Sequence, residues 1–297
     1  MEKRNTKYIL FGNTYQAEKS KSIGQIINVL QKRQTRIAIE ADFYQFIQQT
    51  LGLQFQPDEI IHHPEDHFSA SFAISMGGDG TFLKTAAFIG NKGIPIIGIN
   101  TGRLGFLADV LPEDIEHCIN ALDSGDFLIE RRSLLRATDS EGTLQPYPYA
   151  LNEVAILKHD NSSMISIQTR IDDNLLTTYQ ADGLIISTPT GSTGYSLSVG
   201  GPIISPTSHS IVLTPVAPHS LNIRPIVLND DITIRLSVKS RNHHFLASID
   251  GRSQSLPDHV EIMIRRAPYY INVVKRQNTH FFQTLRNKLL WGADIRV

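Results

Sequence analysis

Phe72-Ala73-Ile74-Ser75-Met76-Gly77-Gly78-Asp79-Gly80-Thr81-Phe82 is the stretch on which the fold of this chain turns. The apolar run 72–76 reads as a buried strand, the glycines as a tight turn, and 81–89 as a helix stopped by Gly90. Phosphates bind at such junctions. Glycine backbones can approach an anion closely, and the helix behind them adds its positive N-terminal end. Gly77, Gly78, Gly80 and Thr81 are therefore the candidate phosphate-binding residues. Asp79 does not fit a pure phosphate cradle, because phosphate oxygens repel a carboxylate. It belongs beside a metal ion or beside a hydroxyl that must lose a proton. The plainer alternative is an ordinary strand-to-helix turn with Asp79 as the helix N-cap.

Outward from this turn, strand and helix patterns alternate. Residues 8–11 and 36–39 read as strands, and Ile23, Ile26, Ile27 and Leu30 recur on one helical face between them. Asp42 reads as an N-cap with Gln45 at the capping-box offset, ahead of Phe43, Phe46, Ile47 and Leu51. On the other side, 93–100 reads as a buried strand, with Pro95 unable to donate to its ladder. Pro112 opens a helix with Ile115, Cys118, Ile119 and Leu122 on its core face, ending near Gly125. Right-handed crossovers make this series a parallel sheet with helices on both faces, and ligands bind beyond the carboxyl ends of its strands. The loop Asn100-Thr101-Gly102-Arg103-Leu104-Gly105-Phe106 leaves another such end.

After Phe127 the pattern becomes strands and turns. Ile165, Ile167, Thr169 and Ile171 alternate with polar residues, as do Ile232, Ile234, Leu236 and Val238. Apolar runs at 184–186, 211–213, 225–228, 245–249, 260–264 and 271–274 extend the series, and Asp250-Gly251 reads as a hairpin turn. The expected organisation is an α/β domain over 1–126, a β-rich domain over 127–275, and a segment over 276–297 whose amphipathic helix (281–291) packs back on the first domain. Two motifs stand out in the β region. Asn152-Glu153 sets an amide beside a carboxylate at the head of a strand. Asp182-Gly183-Leu184-Ile185-Ile186-Ser187-Thr188-Pro189-Thr190-Gly191-Ser192-Thr193-Gly194-Tyr195 runs from a strand into a loop of hydroxyls and glycines that closes on an aromatic ring, a set suited to a nucleoside. A flexible Ser/Thr-rich loop is the alternative.

Composition narrows the classes. With 41% hydrophobic and 19% charged residues over 297 positions, the chain is long enough for two folded domains. A net charge of -1 argues against a nucleic-acid binder. The N-terminal residues show neither a signal peptide nor a membrane span, and the single cysteine, Cys118, forms no intrachain disulfide. These point to the cytoplasm. Cys118 sits on a core face, and the pairs His62-His63 and His243-His244 have no spacing that completes a metal site, so no protein metal ligand is expected.

The motifs Gly77-Gly78-Asp79-Gly80-Thr81, Asn100 to Leu107, Asn152-Glu153, Asp182 to Tyr195, Pro215-Val216-Ala217-Pro218-His219, Arg224-Pro225 and Asp250-Gly251, in this order, resemble those of bacterial-type NAD kinases. The glycine-aspartate turn alone is shared with phosphofructokinases and lipid kinases. The resemblance implies a phosphofructokinase-like α/β N-terminal domain, an all-β C-terminal domain, NAD bound between them, and a homotetramer or homodimer. It implies ATP with a divalent metal, Mg²⁺ or Mn²⁺, and neither nucleic acid nor membrane as partner. Asp79 matches the family's catalytic aspartate, which takes the proton of the adenosine-ribose 2′-hydroxyl. Gly80, Phe106, Asn152, Glu153, Thr190, Thr193 and Tyr195 match NAD contacts, and Asp182, Gly194 and Asp250 match the nicotinamide side. Leu107 replaces a tyrosine of some relatives, and Gly194 an alanine. Arg103 meets a phosphate or solvent. A lipid or sugar kinase and a non-catalytic dinucleotide sensor are the competing classes.

Overall fold

A computed structural model describes residues 6–15, 20–102, 105–144, 147–159, 163–277 and 281–292. The strands and helices run in the order β1 (Lys7–Gly12), α1 (Ser20–Lys32), β2 (Arg36–Glu40), α2 (Ala41–Gln49), β3 (Glu59–Ile61), β4 (Phe72–Gly77), α3 (Asp79–Ile89), β5 (Ile96–Asn100) and α4 (Ile115–Ser124). Then come β6 (Phe127–Asp139), β7 (Tyr149–Ala150), β8 (Glu153–Lys158), β9 (Ile165–Ile171), β10 (Asn174–Ala181), β11 (Gly183–Ser187) and α5 (Tyr195–Ser198). The chain finishes with β12 (Ser210–Val216), β13 (Ile226–Asn229), β14 (Thr233–Lys239), β15 (His244–Ile249), β16 (Arg252–Pro257), β17 (Glu261–Arg276) and α6 (Phe281–Leu289). The residues divide into two units, Met1–Arg131 with Ile271–Val297, and Arg132–Tyr270.

In the first unit the strands are parallel in the order β5-β4-β1-β2-β3, with the end of β17 beside β5. From β1 the chain steps to β2 and β3, then returns to the opposite edge of β1 to form β4. That reversal opens a crevice at the carboxyl ends of β1 and β4, the place where such sheets bind ligands. Tyr8, Leu10, Ile74, Met76, Ile97 and Ile99 share one core with α1, α2 and α4. On the other face, the Thr85 hydroxyl on α3 donates to Ser75 Oγ, and Phe82 closes on Gly98. Helices thus cover both faces, as the sequence predicts. In α4 Cys118 is buried among apolar side chains and its thiol is pushed up to about 11 by that burial, which makes it a packing residue.

Several local readings are corrected. The N-cap of α2 is Glu40, not Asp42; β2 enters the helix without a loop, and the Glu40 carboxylate accepts the N–H groups of Asp42 and Phe43 at 3.2 and 2.8 Å. Helix α3 begins at Asp79, with Gly78 as its N-cap. β5 begins at Ile96, because Pro95 has no N–H for the ladder, although its carbonyl accepts from Ala73. The runs 260–264 and 271–274 are largely parts of one strand, β17, which passes through an exposed Pro268. Strands β3, β6, β10 and β16 escape the sequence reading because charges and hydroxyls interrupt their apolar pattern.

The second unit pairs β10-β9-β14-β17 antiparallel, and stacks a six-stranded antiparallel sheet, β13-β12-β11-β8-β15-β16, against it. Ile167, Leu236 and Ile264 of the first sheet share a core with Ile156, Ile186, Leu213 and Phe245 of the second. Among the described residues no helix is long and apolar enough to cross a membrane.

Candidate active site

The N-terminus of α3 divides the site in the first unit. One side faces a cavity of about 540 Å³ at the β1–β4 crevice, bordered by Tyr15, Glu40, Gly78, Gly80, Thr81 and Lys84. Nothing lies within 4 Å of where a Cβ would stand on Gly78 or Gly80, so their backbones are open to a ligand. First-turn N–H groups of a helix lack an i−4 acceptor, which suits an anion at Asp79 and Gly80, whereas the Thr81 N–H donates to the Gly78 carbonyl at 3.0 Å. Lys84 adds a cation, its Nζ lying 5.2 Å from the Tyr15 ring centroid. Gly77 does not border this cavity. The Thr81 side chain fills the place a Cβ would take there, with Oγ1 at 2.2 Å.

On the other side Asp79 is gripped by the loop after β5. Its Oδ2 accepts the Phe106 N–H at 2.9 Å, and its Oδ1 accepts those of Leu107 and Ala108 at 3.0 and 3.1 Å. Gly105 is what lets the loop come this close, since a Cβ at that position would stand 2.0 Å from Asp79 Oδ1. Lys288 of α6 places Nζ 3.5 Å from Asp79 Oδ2 and 4.5 Å from the Phe106 ring centroid. Arg103, the loop's candidate phosphate contact, lies outside the described residues.

In the second unit, the head of β8 collects the other candidates. Register sets Ser187 of β11 opposite Glu153, and Ile249 of β15 opposite Val154. The 190–195 segment and the Asp250-Gly251 turn are therefore delivered to the same strand end. Asp250 has φ +47 and Gly251 φ +79, as the hairpin reading predicts. The Asp250 carboxylate accepts three consecutive N–H groups, from Leu151, Asn152 and Glu153, at 2.7, 2.9 and 3.0 Å. Thr188 ties the other flank: its hydroxyl donates to the Leu151 carbonyl and accepts the Gly191 N–H. Thr190–Thr193 forms a 3-10 helix, and Thr188, Thr190, Ser192 and Ser196 are buried. The flexible-loop alternative is overturned, because the segment is largely buried and tied down by the Thr188 and Ser192 hydroxyls. Asn152 Oδ1 and Glu153 Oε2 are buried without a hydrogen-bond partner.

Not every candidate joins these groups. Asp182 lies at the opposite end of β11 from Ser187 and pairs with Lys158 Nζ at 2.9 Å. The Phe106 ring is flanked by Phe281, with centroids 6.4 Å apart. Sequence reasoning missed Gly105, Ala108 and Lys288, since only the folded loops reveal what Asp79 touches.

The fold match and the family match now coincide. A family model described as the ATP-NAD kinase N-terminal domain matches residues 9–127, and one described as the ATP-NAD kinase C-terminal domain matches 151–276. This chain belongs to the ATP-NAD kinase family. It is 55% identical over 98% of its length to all of an NAD kinase from Bacteroides fragilis, and 45% identical over 98% to 99% of one from Porphyromonas gingivalis. A crystal structure of yeast NADH kinase complexed with NADH matches 98% of the chain and 89% of its own, with TM-score 0.87 and 23% identity. An NAD kinase from Archaeoglobus fulgidus in complex with ATP matches 96% and 97%, with TM-score 0.73 and 24% identity. At those identities the two structures show a shared fold.

In this NAD kinase family member Glu153 ties stability to pH. Burial, and next the charge of Asp250, push the Glu153 carboxyl up from 4.5 to about 7. The folded state therefore binds this proton more tightly than the unfolded one. The stabilisation is complete below about pH 4.5 and is lost as pH rises through about 7, a swing on the order of 3 kcal/mol. The prediction is that Glu153→Gln flattens the fall in melting temperature between pH 5 and pH 8. An unchanged pH profile in that variant would assign the fall to other groups.

Proposed function

We propose that this chain is an ATP-dependent NAD kinase, transferring the γ-phosphoryl group of ATP to the 2′-hydroxyl of the adenosine ribose of NAD, with Asp79 as general base. The observation that carries this reading is the pair of unsatisfied acceptors at the head of β8, Asn152 Oδ1 and Glu153 Oε2. Leaving two buried acceptors unpaired costs about 1–3 kcal/mol each, and a ligand with hydroxyl and amino donors recovers it. Adenosine offers both kinds of donor. Thr190, Thr193, Gly194 and Tyr195 complete its surroundings, and Asp250 fixes Asn152 and Glu153 through their N–H groups. Asp182 is assigned to the nicotinamide end and Phe106 to packing on the nucleotide.

The donor belongs in the crevice of the first unit. Gly78, Gly80 and Thr81 meet its phosphates at the N-terminus of α3, with Lys84 as counter-charge and Gly77 shaping the turn through Thr81. A divalent metal, Mg²⁺ or Mn²⁺, enters as the chelate of ATP. The metal neutralises charge on the phosphates. Asp79, held in place by its three N–H donors, orients the ribose hydroxyl and takes its proton as the bond to phosphorus forms. A cytoplasmic location and a homodimeric or homotetrameric assembly belong to the same reading, on the family resemblance.

The test is incubation of the purified protein with Mg-ATP and either NAD or NADH, with the phosphorylated product of each measured. NADP or NADPH formation is expected. No product from either, at protein concentrations that bind the dinucleotide, would replace the enzyme with a sensor.

A further inference from the structure

We propose that Lys288, on the C-terminal helix α6, is a catalytic cation that holds the transferring phosphoryl group beside Asp79. The inference rests on the reading of Asp79 as the base. Asp79 does not need Lys288 as a structural partner. Its two oxygens already accept three backbone N–H groups, two on Oδ1 and one on Oδ2. A carboxylate oxygen accepts about two bonds, so the remaining acceptor direction is on Oδ2. Lys288 Nζ stands there at 3.5 Å, the position a substrate hydroxyl must occupy to give up its proton. Lys288 is thus a place-holder in the substrate-free site.

Where it goes when the hydroxyl arrives follows from charge. The helix end behind Asp79 is where phosphate collects, and a γ-phosphoryl group carries more negative charge than one carboxylate. A lysine ammonium is a compact point charge on a flexible stem, able to swing from one anion to the other without its helix moving. The Lys288 side chain is 31% exposed, free enough to move. The helix is anchored independently of it, because Phe281 of α6 flanks the Phe106 ring, with centroids 6.4 Å apart, and Thr284 and Leu285 are buried. Cations on the transferring group are the recurring device of phosphoryl transfer.

In the step itself, a bond forms between the ribose 2′-oxygen and the γ-phosphorus. The bond from that phosphorus to the β–γ bridging oxygen breaks, and ADP departs with the electron pair. The hydroxyl proton passes to Asp79 Oδ2 and then to solvent. Lys288 stays protonated throughout and is bound to the phosphoryl oxygens as they pass from donor to acceptor.

The experiment uses the full chain, Mg-ATP and NAD. The wild-type protein is expected to form NADP; if it forms none, the underlying kinase reading fails and this proposal falls with it. If it does, Lys288→Ala and Lys288→Met should lower kcat by about 10²- to 10³-fold, the worth of one preorganised charge donor. KM for NAD and the melting temperature should stay near wild type. Lys288→Arg should retain part of the activity, and added ethylamine should restore part of kcat to Lys288→Ala while leaving the wild type unaffected. A kcat that is unchanged or raised in Lys288→Ala would overturn the proposal. So would a loss that tracks a lowered melting temperature in both the Ala and Met variants with no rescue by the amine, which would make Lys288 a packing residue.

Discussion

Asp79→Asn should lower kcat by about 10²- to 10⁴-fold, the usual worth of a positioned general base, and should also soften the loop that holds it. The substitution keeps one acceptor oxygen and turns the other into an N–H₂ donor. Placed as the carboxylate is, the amide oxygen can still serve Leu107 and Ala108, whereas the new donor faces the Phe106 N–H and the Lys288 ammonium. Donor against donor at one part-buried bond costs about 1–3 kcal/mol. The penalty is local to the loop at residues 106–108. Activity and stability are separable, because a loop loosened by about 1–3 kcal/mol lowers the melting temperature by several degrees at most and changes none of the bonds that hold Asn152 and Glu153. Measuring kcat, melting temperature and NAD affinity together checks the assignment. NADP formation near the wild-type rate would remove Asp79 from the chemistry and leave it as a clamp on residues 106–108.

The parts of this molecule that were legible in its sequence are those encoded by period and by local chemistry. Alternating strand and helix stripes from Tyr8 to Leu122 gave the parallel sheet, and Asn152-Glu153 was found as a polar pair at a strand head, where it stands with two unpaired buried acceptors. What stayed hidden lies in contacts between loops far apart in the chain. Asp79 is bonded 27 to 29 residues away, and Asp250 about a hundred residues away. Both acidic residues accept three consecutive N–H groups, a tie that no spacing rule announces. Asp42 fits the residue preference for a helix cap better than Glu40 does, but the strand's direct entry into α2 gives that role to Glu40. Lys288 carried no signal, since an isolated lysine on an amphipathic helix usually faces solvent.

Gly191→Ala should disable nucleotide binding more than its size suggests. A Cβ on Gly191 would stand 2.1, 2.4 and 2.7 Å from the carbonyl oxygen, carbonyl carbon and Cα of Asn152. All three are backbone atoms, so no rotamer change relieves the clash. Asn152 is itself held from behind by Asp250, and its carbonyl accepts the Thr188 N–H at 2.9 Å. Relief must come from shifting the 190–193 helix or the head of β8. Either movement takes Thr190 and Thr193 out of register with Asn152 and Glu153. Overpacking of this kind costs about 1–3 kcal/mol in stability. Misplacing two ligand hydrogen bonds costs about as much again in binding, so KM for NAD should rise about 10²-fold. Gly194→Ala is the contrast. Its Cβ would lie 3.1 Å from Glu153 Oε2 and 3.3 Å from Asn152 Nδ2, both ends of side chains that can give by a few tenths of an ångström, and 3.2 Å from the Gly191 carbonyl oxygen, far looser than the contacts at Gly191. Near-wild-type KM and melting temperature are expected for that variant. If Gly191→Ala matched it in both, the 190–193 helix would not be packed against Asn152, and the nucleoside site would lose the wall that defines it.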